Sequence, residues 1–442
     1  MRVFAATDLH VDYEENMEWC RSIDHDVYRE DVLVVSGDVS DELGALEQAL
    51  GCLAAKFAAV FYCVGNHELW VRKKDRAAGV LDSVAKLRCV LDLCQRLGVH
   101  TQPVRVGNLW LAPLFSWHHK SFDCEADIPG VPPASAWTIA DYTHCVWPSD
   151  IPGGQELGSL ELAHWFDGLN DTPAWRQLLS SRHECDVIAL AHFLPYQALL
   201  PEKRYLYYPP LAKAVGSAPL AARLAELQPD LDLCFVGHTH FAWDATIGGV
   251  RYIQAPLCAP RERQRRLPTI GFGASMERAE ADPVAAGWLP LEVYRCFVPA
   301  GWKEELKRHI SSNLVPGEPT DGLLASRQAQ SSAAQQVGQL LQTQQQPQQQ
   351  RQQPQPQQQE QQQQLLDEWV AEGWQRLRHG AAAPDQKARW SEYYAGEQRR
   401  PHDTEMAPWV AKTYAKRFQR AARLAAAATS SSDESGLEPD AI

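Results

Sequence analysis

The chain has 442 residues, 45% of them hydrophobic, and a formal net charge of −13. That length and apolar share suffice for one large buried core with appendages, while the negative balance argues against broad nucleic-acid or anionic-membrane binding and admits a nucleotide only as a substrate. No apolar run reaches the roughly 18 residues a bilayer span needs, and the start MRVFAATDLH lacks a charged region followed by a long apolar one, so a cytoplasmic protein with no membrane partner is expected.

Taken in chain order, residues 1–312 alternate short apolar runs with helical stretches, the pattern of a layered α/β protein. Five runs are of one kind: VFAATD, VLVVSGD, AVFYCVGN, VIALAH and LCFVGH. Each is nearly continuous in apolar residues, which suits a strand buried on both faces, and each stops at Gly, Asp, Asn or His. The stretches DELGALEQALGCLAAKF and DSVAKLRCVLDLCQRLG repeat apolar residues at helical spacing. NLWLAPL, VRYIQAP and LEVYRCF read as further strands, assigned to a second sheet. Residues 125–160, rich in Pro, Gly and Trp, read as a surface insertion. The 11 cysteines are scattered without a CxxC pair and read as buried free thiols of a reducing compartment.

Beyond residue 312 the texture changes. Gln and Pro dominate residues 326–364, a composition that cannot bury enough apolar surface to order itself, so 313–364 is expected to be a disordered linker. Residues 365–424 are aromatic: Leu366, Trp369, Val370, Trp374 and Leu377 share a helical face, with Trp390, Tyr393, Tyr394 and Trp409 further on. They predict a short helical piece docked on the main domain, followed by a disordered tail at 425–442.

The strand ends carry the chemistry. The first offers Asp8 and His10, the second Gly37 and Asp38, the third Asn66 and His67, the fourth His192, and the fifth His238 and His240. Each has an ordinary structural reading when taken alone: Asp8 or Asp38 as a helix N-cap, Asn66 as a turn residue, His192 as a satisfied core histidine. Five such ends in equivalent positions favour a shared metal site, because loops at the carboxyl ends of strands in an α/β sheet converge on one crevice.

In order, these residues spell DxH, GD, GNHE, a lone His and GHxH, a series that resembles the calcineurin-like metallophosphoesterase superfamily: Asp8 to His10, Gly37 to Asp38, Gly65 to Glu68, His192, and Gly237 to His240. The resemblance spans about residues 1–300 and implies an α/β fold of two face-to-face mixed β-sheets flanked by helices in four layers. It assigns Asp8, His10 and His240 to one metal ion, Asn66, His192 and His238 to a second, and makes Asp38 the bridge. Carboxylate, imidazole and amide donors suit two divalent or trivalent ions of Mn, Fe or Zn. The activity implied is hydrolysis of a phosphoester by a hydroxide held between the ions, attacking phosphorus in line. The resemblance places His67 beside the leaving oxygen, to protonate it or stabilise its charge. Asp41 matches a position that pairs with this histidine in some members, or else N-caps the helix that follows.

Departures from the pattern bear on the substrate. Phosphoprotein phosphatases of the superfamily carry a motif resembling GDxxDRG, whereas Glu42 and Leu43 follow Asp41 here. A small phosphomonoester or phosphodiester is therefore favoured over a phosphoprotein. A catalytically silent scaffold with a Gln-rich interaction segment is the third reading, and the intact ligand series argues against it. Arg72, Lys73, Lys74, Lys203, Arg204, Arg261 and Arg263 read as surface charges more readily than as phosphate clamps. Trp117, His118, His119 and Tyr205 to Tyr208 either wall a pocket for a flat group or pack a loop. Nothing in the sequence identifies a protein partner.

Overall fold

The apolar runs that stop at polar residues become the parallel strands of two sheets. The structure, a computed structural model, describes residues 1–133, 139–304, 306 and 356–416. In chain order the strands are β1 (Arg2–Ala6), β2 (Val32–Ser36), β3 (Ala59–Cys63), β4 (Val104–Val106), β5 (Leu109–Pro113), β6 (Asp186–Leu190), β7 (Leu231–Phe235), β8 (Trp243–Ile247), β9 (Val250–Gln254), β10 (Leu291–Cys296), β11 (Gln375–Arg376) and β12 (Gly380–Ala382). One six-stranded sheet has the order β11-β12-β10-β1-β2-β3 and the other β4-β5-β6-β7-β9-β8. Both are mixed. β1, β2 and β3 run parallel, as do β5, β6, β7 and β9, and antiparallel strands close the remaining pairs.

Alternation along the second sheet explains why its strands read as unbroken apolar runs. Leu109, Leu111, Ile188, Leu190, Leu233, Phe235 and Ile253 join the core shared with the first sheet. Their neighbours Trp110, Ala112, Val187, Ala189, Cys234 and Tyr252 enter a second core on the opposite face. A strand buried on both sides has no polar face to show. Helices α1 (Leu43–Ala54) and α2 (Ser83–Leu97) flank the first sheet, packing Leu46, Leu50 and Leu53 against Leu87, Val90 and Leu91 in the shared core. No helix among the described residues is long and apolar enough to cross a membrane. All 11 cysteines are free, and Cys124 alone among them is exposed.

Two expectations need correction. LEVYRCF, assigned to the second sheet, is β10 of the first, pairing antiparallel with β1 so that Arg2 lies opposite Arg295. An apolar strand pattern encodes burial, not the identity of the neighbouring strand. The segment read as a disordered linker contains the start of a helix, α3 (Pro356–Ala371). Gln is a fair helix former, and Trp369 at the far end stacks on Phe297 with ring centroids 5.0 Å apart. Residues 313–355 and 417–442, with the calls made on them for a linker and a free tail, lie outside the described residues.

The C-terminal piece is helical only in part. Besides α3 and α4 (Arg389–Gly396) it supplies β11 and β12, which extend the first sheet with Ala382 opposite Tyr294. It is tied down by Arg378, whose backbone N donates to Asp186 at 2.9 Å and whose guanidinium donates to Asp230 at 2.5 Å and the Cys185 carbonyl at 2.7 Å. Trp390 and Tyr394 pack on the second core, whereas Trp409 stays 43% exposed and stacks on Tyr205.

Candidate metal centre

The carboxyl ends of β1, β2, β3, β6 and β7 deliver Asp8 and His10, Asp38, Asn66 and His67, His192, and His238 and His240 to one place between the two sheets. The backbone there is unusual. Seven non-glycine residues of the described chain have positive φ, and five of them are Asp8 (53°), His10 (43°), Asp38 (53°), His238 (71°) and His240 (55°). Each such residue costs about 1–3 kcal/mol, so a cluster of five is held by its surroundings and marks a functional site. The hold is visible: Asp8 N donates to Gly37 O at 3.1 Å, His10 N to Asp38 O at 3.0 Å, and His238 N to the Asp8 carboxylate at 3.0 Å. Gly37 itself turns at φ 79°, and a Cβ there would come within 2.5 Å of the His192 ring.

The imidazoles are pinned from outside so that one nitrogen of each faces inward. His192 Nδ1 donates to Ser36 O at 2.8 Å, His238 Nε2 to Ala214 O at 2.8 Å, and His240 Nδ1 to Glu262 at 2.6 Å. Carbonyls and carboxylates only accept, so the outer nitrogens carry the protons and the inner ones of the neutral rings are bare. These inner atoms crowd together. His240 Nε2 lies 2.9 Å from His10 Nε2 and 3.5 Å from Asp8 Oδ1. His192 Nε2 lies 3.2 Å from His238 Nδ1, 3.0 Å from Asn66 Oδ1 and 3.3 Å from Asp38 Oδ1.

Two clusters result whose donor atoms lie within 4.8 Å of one another: Asp8, His10, Asp38 and His240, and Asp38, His192 and His238. Asp38 belongs to both. Lone pairs converging on one another at such distances repel unless a proton or a metal ion lies between them, and a buried set of carboxylate, imidazole and amide donors is of the kind that holds a pair of metal ions.

Charge at the centre agrees. Burial opposes ionisation of Asp38, yet the surrounding imidazoles of His192, His67 and His10 hold its carboxyl well below the usual carboxylate range. Burial likewise resists a proton on His192, but Asp38 and Asp8 outweigh it and raise that imidazole to about 9. Burial and the neighbouring His192 push His238 down to about 3. The carboxylates thus gather positive charge on the centre, and a bound cation would displace those protons.

His67 sits at the rim with its side chain 22% exposed, its backbone N donating to Asp38 at 3.0 Å and its ring Nε2 3.7 Å from Asp38 Oδ2. Its imidazole lies against Trp70, with centroids 3.6 Å apart and the rings tilted by 32°. Asp41 is neither a cap nor a partner of His67 in the hydrogen bonds present. Arg72 takes its carboxylate, donating from Nε at 2.9 Å and also from Nη2, and reaches His144 with Nη1 at 3.0 Å. Glu42, not Asp41, precedes α1 as the cap residue. Arg72 is therefore an engaged, half-buried cation and not the solvated charge expected.

Three residues beyond the ligands and catalytic groups named from the sequence shape the centre, Glu68 having figured there only as the end of the GNHE motif. Glu68 is buried and accepts from the backbone N of Val39 at 2.6 Å, Gly65 at 2.8 Å and Asp38 at 3.2 Å, clamping two ligand loops together. Burial and then Asp38 raise its carboxyl to about 7. Glu262, on helix Pro260–Ile270, holds His240. Asp141, from the 125–160 insertion, reaches Asn66, Trp70 and His118. The insertion is thus not merely surface. Trp117 and His119, offered as pocket walls, pack instead: Trp117 stacks on Phe166, and His119 Nε2 accepts from Ala218 N at 2.9 Å.

Comparison with known proteins identifies a family and relatives. A sequence model described as calcineurin-like phosphoesterase matches residues 1–242. The chain is 25% identical over 290 residues to an [acyl-carrier-protein] phosphodiesterase, PptH, of Mycobacterium tuberculosis, a match covering 60% of this chain and 80% of that protein. The crystal structure of the phosphopantetheinyl hydrolase PptH from the same organism is similar at 21% identity and a TM-score of 0.47, over 60% of this chain and 92% of that one. A putative 5'-nucleotidase from Staphylococcus aureus is similar at 13% identity and a TM-score of 0.28, over 57% and 48%.

Proposed function

The chain belongs to the calcineurin-like phosphoesterase family, and from that premise we propose that it is a binuclear metal-dependent phosphodiesterase acting on a diester with an alkyl leaving group. The observation that carries this reading is the pair of donor clusters sharing Asp38, with His67 at their rim. Asp8, His10 and His240 would hold one ion, Asn66, His192 and His238 the other, and Asp38 both. Two such ions, when bound, supply Lewis acidity at the phosphoryl group and a water activated for in-line attack. Mn, Fe and Zn all suit the donors, while the count of nitrogens disfavours Mg and Ca.

The remaining work falls to the chain's own residues. His67, free of the hydrogen bonds that pin the other histidines and backed by Trp70, delivers a proton to the departing oxygen. An alkoxide cannot leave without one. Arg72 commits its guanidinium to Asp41 and His144, which leaves it unavailable to neutralise the second charge of a terminal phosphate. A diester, with one negative charge, places less demand on such a cation than a monoester does. The name of the Mycobacterium tuberculosis relative, a phosphodiesterase of an acyl carrier protein, supports the same choice, and a phosphopantetheine-bearing carrier protein is the first physiological candidate.

The test is a comparison on protein stripped with EDTA and reloaded with Mn²⁺. Bis-p-nitrophenyl phosphate should turn over faster than p-nitrophenyl phosphate, and the carrier protein should lose its phosphopantetheine. A preference for the monoester would overturn the diester reading, and silence on all three with two ions bound would overturn hydrolysis itself.

A further inference from the structure

A carboxamide presents oxygen on one side and NH2 on the other, and nothing in its shape decides which way round it sits. The partner on the far side decides. Behind Asn66 that partner is Asp141, fully buried, whose Oδ1 accepts from Asn66 Nδ2 at 2.7 Å. A carboxylate offers no donor, so Asn66 can only turn its NH2 to Asp141 and its Oδ1 toward His192 Nε2 and His238 Nδ1, which it meets at 3.0 and 2.9 Å. The same Oδ1 of Asp141 also accepts from Trp70 Nε1 at 2.7 Å, and its Oδ2 lies 3.0 Å from the buried His118 Nε2. Trp70 is the ring against which His67 lies, 3.6 Å between centroids.

We propose that Asp141 is a positioning residue of the metal centre, holding with one carboxylate oxygen both the amide of Asn66 and the indole that backs His67. The inference rests on the metal-centre reading above. It makes the inserted segment part of the reactive machinery, since it sets a ligand of one cluster and the wall behind the proton donor together. His118 completes the arrangement by anchoring the other carboxylate oxygen from within the core, so that Asp141 cannot swing away. Ligand-orienting groups of this kind contribute about 10- to 100-fold in metal affinity.

The experiment titrates EDTA-stripped full-length protein with Mn²⁺ and counts equivalents and dissociation constants by calorimetry. Wild type is expected to bind two equivalents; none would refute the metal-centre reading itself. Asp141→Ala should bind one equivalent about 10- to 100-fold more weakly while the other changes little. Asp141→Asn should recover most of that loss, because its amide oxygen can still accept from Asn66 and Trp70 while the His118 tautomer adapts to its NH2. Unchanged binding in a folded Asp141→Ala protein would overturn the proposal while leaving the metal centre intact. Should circular dichroism show that Asp141→Ala does not fold, the exchanged pair decides. Asn66→Asp alone sets two carboxylates face to face and should weaken the affected equivalent, and adding Asp141→Asn together with Trp70→Phe, which removes the indole N–H that would otherwise face the new NH2, should restore it. Absence of that rescue would overturn the proposal, since a merely structural Asp141 has no reason to compensate a change at Asn66.

Discussion

His240 donates from Nδ1 to the Glu262 carboxylate at 2.6 Å, and Arg266, one turn further along the same helix, donates to the other oxygen of that carboxylate at 2.7 Å. The ion pair between Glu262 and Arg266 fixes the carboxylate, the carboxylate fixes the imidazole, and Nε2 is left facing Asp8 and His10. Glu262 also increases the electron density its histidine can offer a cation. Glu262→Gln retains an acceptor and loses the charge, so Mn²⁺ affinity should fall by about 10-fold or more with the fold unchanged. Calorimetric titration checks this, and an unaltered dissociation constant would remove Glu262 from the centre.

Asp38 is the single residue common to both donor clusters. Asp38→Asn should therefore deplete both ions, whereas Asp8→Asn should deplete chiefly one. Elemental analysis after gel filtration distinguishes the two outcomes. Two equivalents retained by Asp38→Asn would end its bridging role.

The donors were legible because each lies within a few residues of a strand end, and the strands announce themselves by unbroken apolar runs such as VLVVS and VIAL. Asp141 and Glu262 were not. They sit in WTIADYTH and APRERQRR, where no apolar period marks them, and they reach the centre only when separate segments fold together. The two short strands of the C-terminal piece were missed for another reason: two and three residues are too few for alternation to register, and the pairing of β12 with β10 and of β11 with β12 is made through the backbone. Asp41 shows the converse error. Its spacing from Asp38 suggested a role beside His67, but Arg72, distant by 31 residues, claims its carboxylate.

Ending the chain after residue 355 should destabilise the phosphoesterase core. It would expose the β10 edge and strip Asp186 and Asp230 of the donors that Arg378 and His379 provide. Buried acceptors left unsatisfied cost about 1–3 kcal/mol each, so the melting temperature should fall by roughly 5 °C or more. Differential scanning calorimetry measures it. A melting temperature equal to that of the full chain would mean that the C-terminal piece contributes nothing to the core.

Asp232 on β7 accepts from Val187 N at 2.9 Å, and burial, with Asp186 and Asp230 nearby, raises its carboxyl to about 7. A raised acid binds its proton more tightly in the folded state. Its contribution is therefore fully present below the unfolded value near pH 4 and is lost as pH rises through 7. Asp232→Asn, which preserves the acceptor and cannot ionise, should flatten that decline and raise stability at pH 8. Urea melts at pH 6 and pH 8 provide the measurement, and a variant with the wild-type pH slope would assign the decline to other groups.

His67 is the remaining test of chemistry as distinct from binding. It follows Asn66 directly, yet its ring faces the rim while the amide of Asn66 faces His192 and His238, so removing it should leave both donor clusters whole. His67→Ala should keep two ions and a near-normal KM while kcat falls by roughly 10²- to 10⁴-fold, the usual contribution of one general acid. The defect should depend on the leaving group. A nitrophenolate departs without a proton and an alkoxide does not, so the loss must be larger on an alkyl diester than on bis-p-nitrophenyl phosphate. Restoring the deficit with imidazole added to the buffer would strengthen the assignment, because the vacated space beside Trp70 can admit a ring of the same size. Equal losses on both substrates, or loss of an ion, would assign His67 to structure or ligation and give the proton donor's role to solvent.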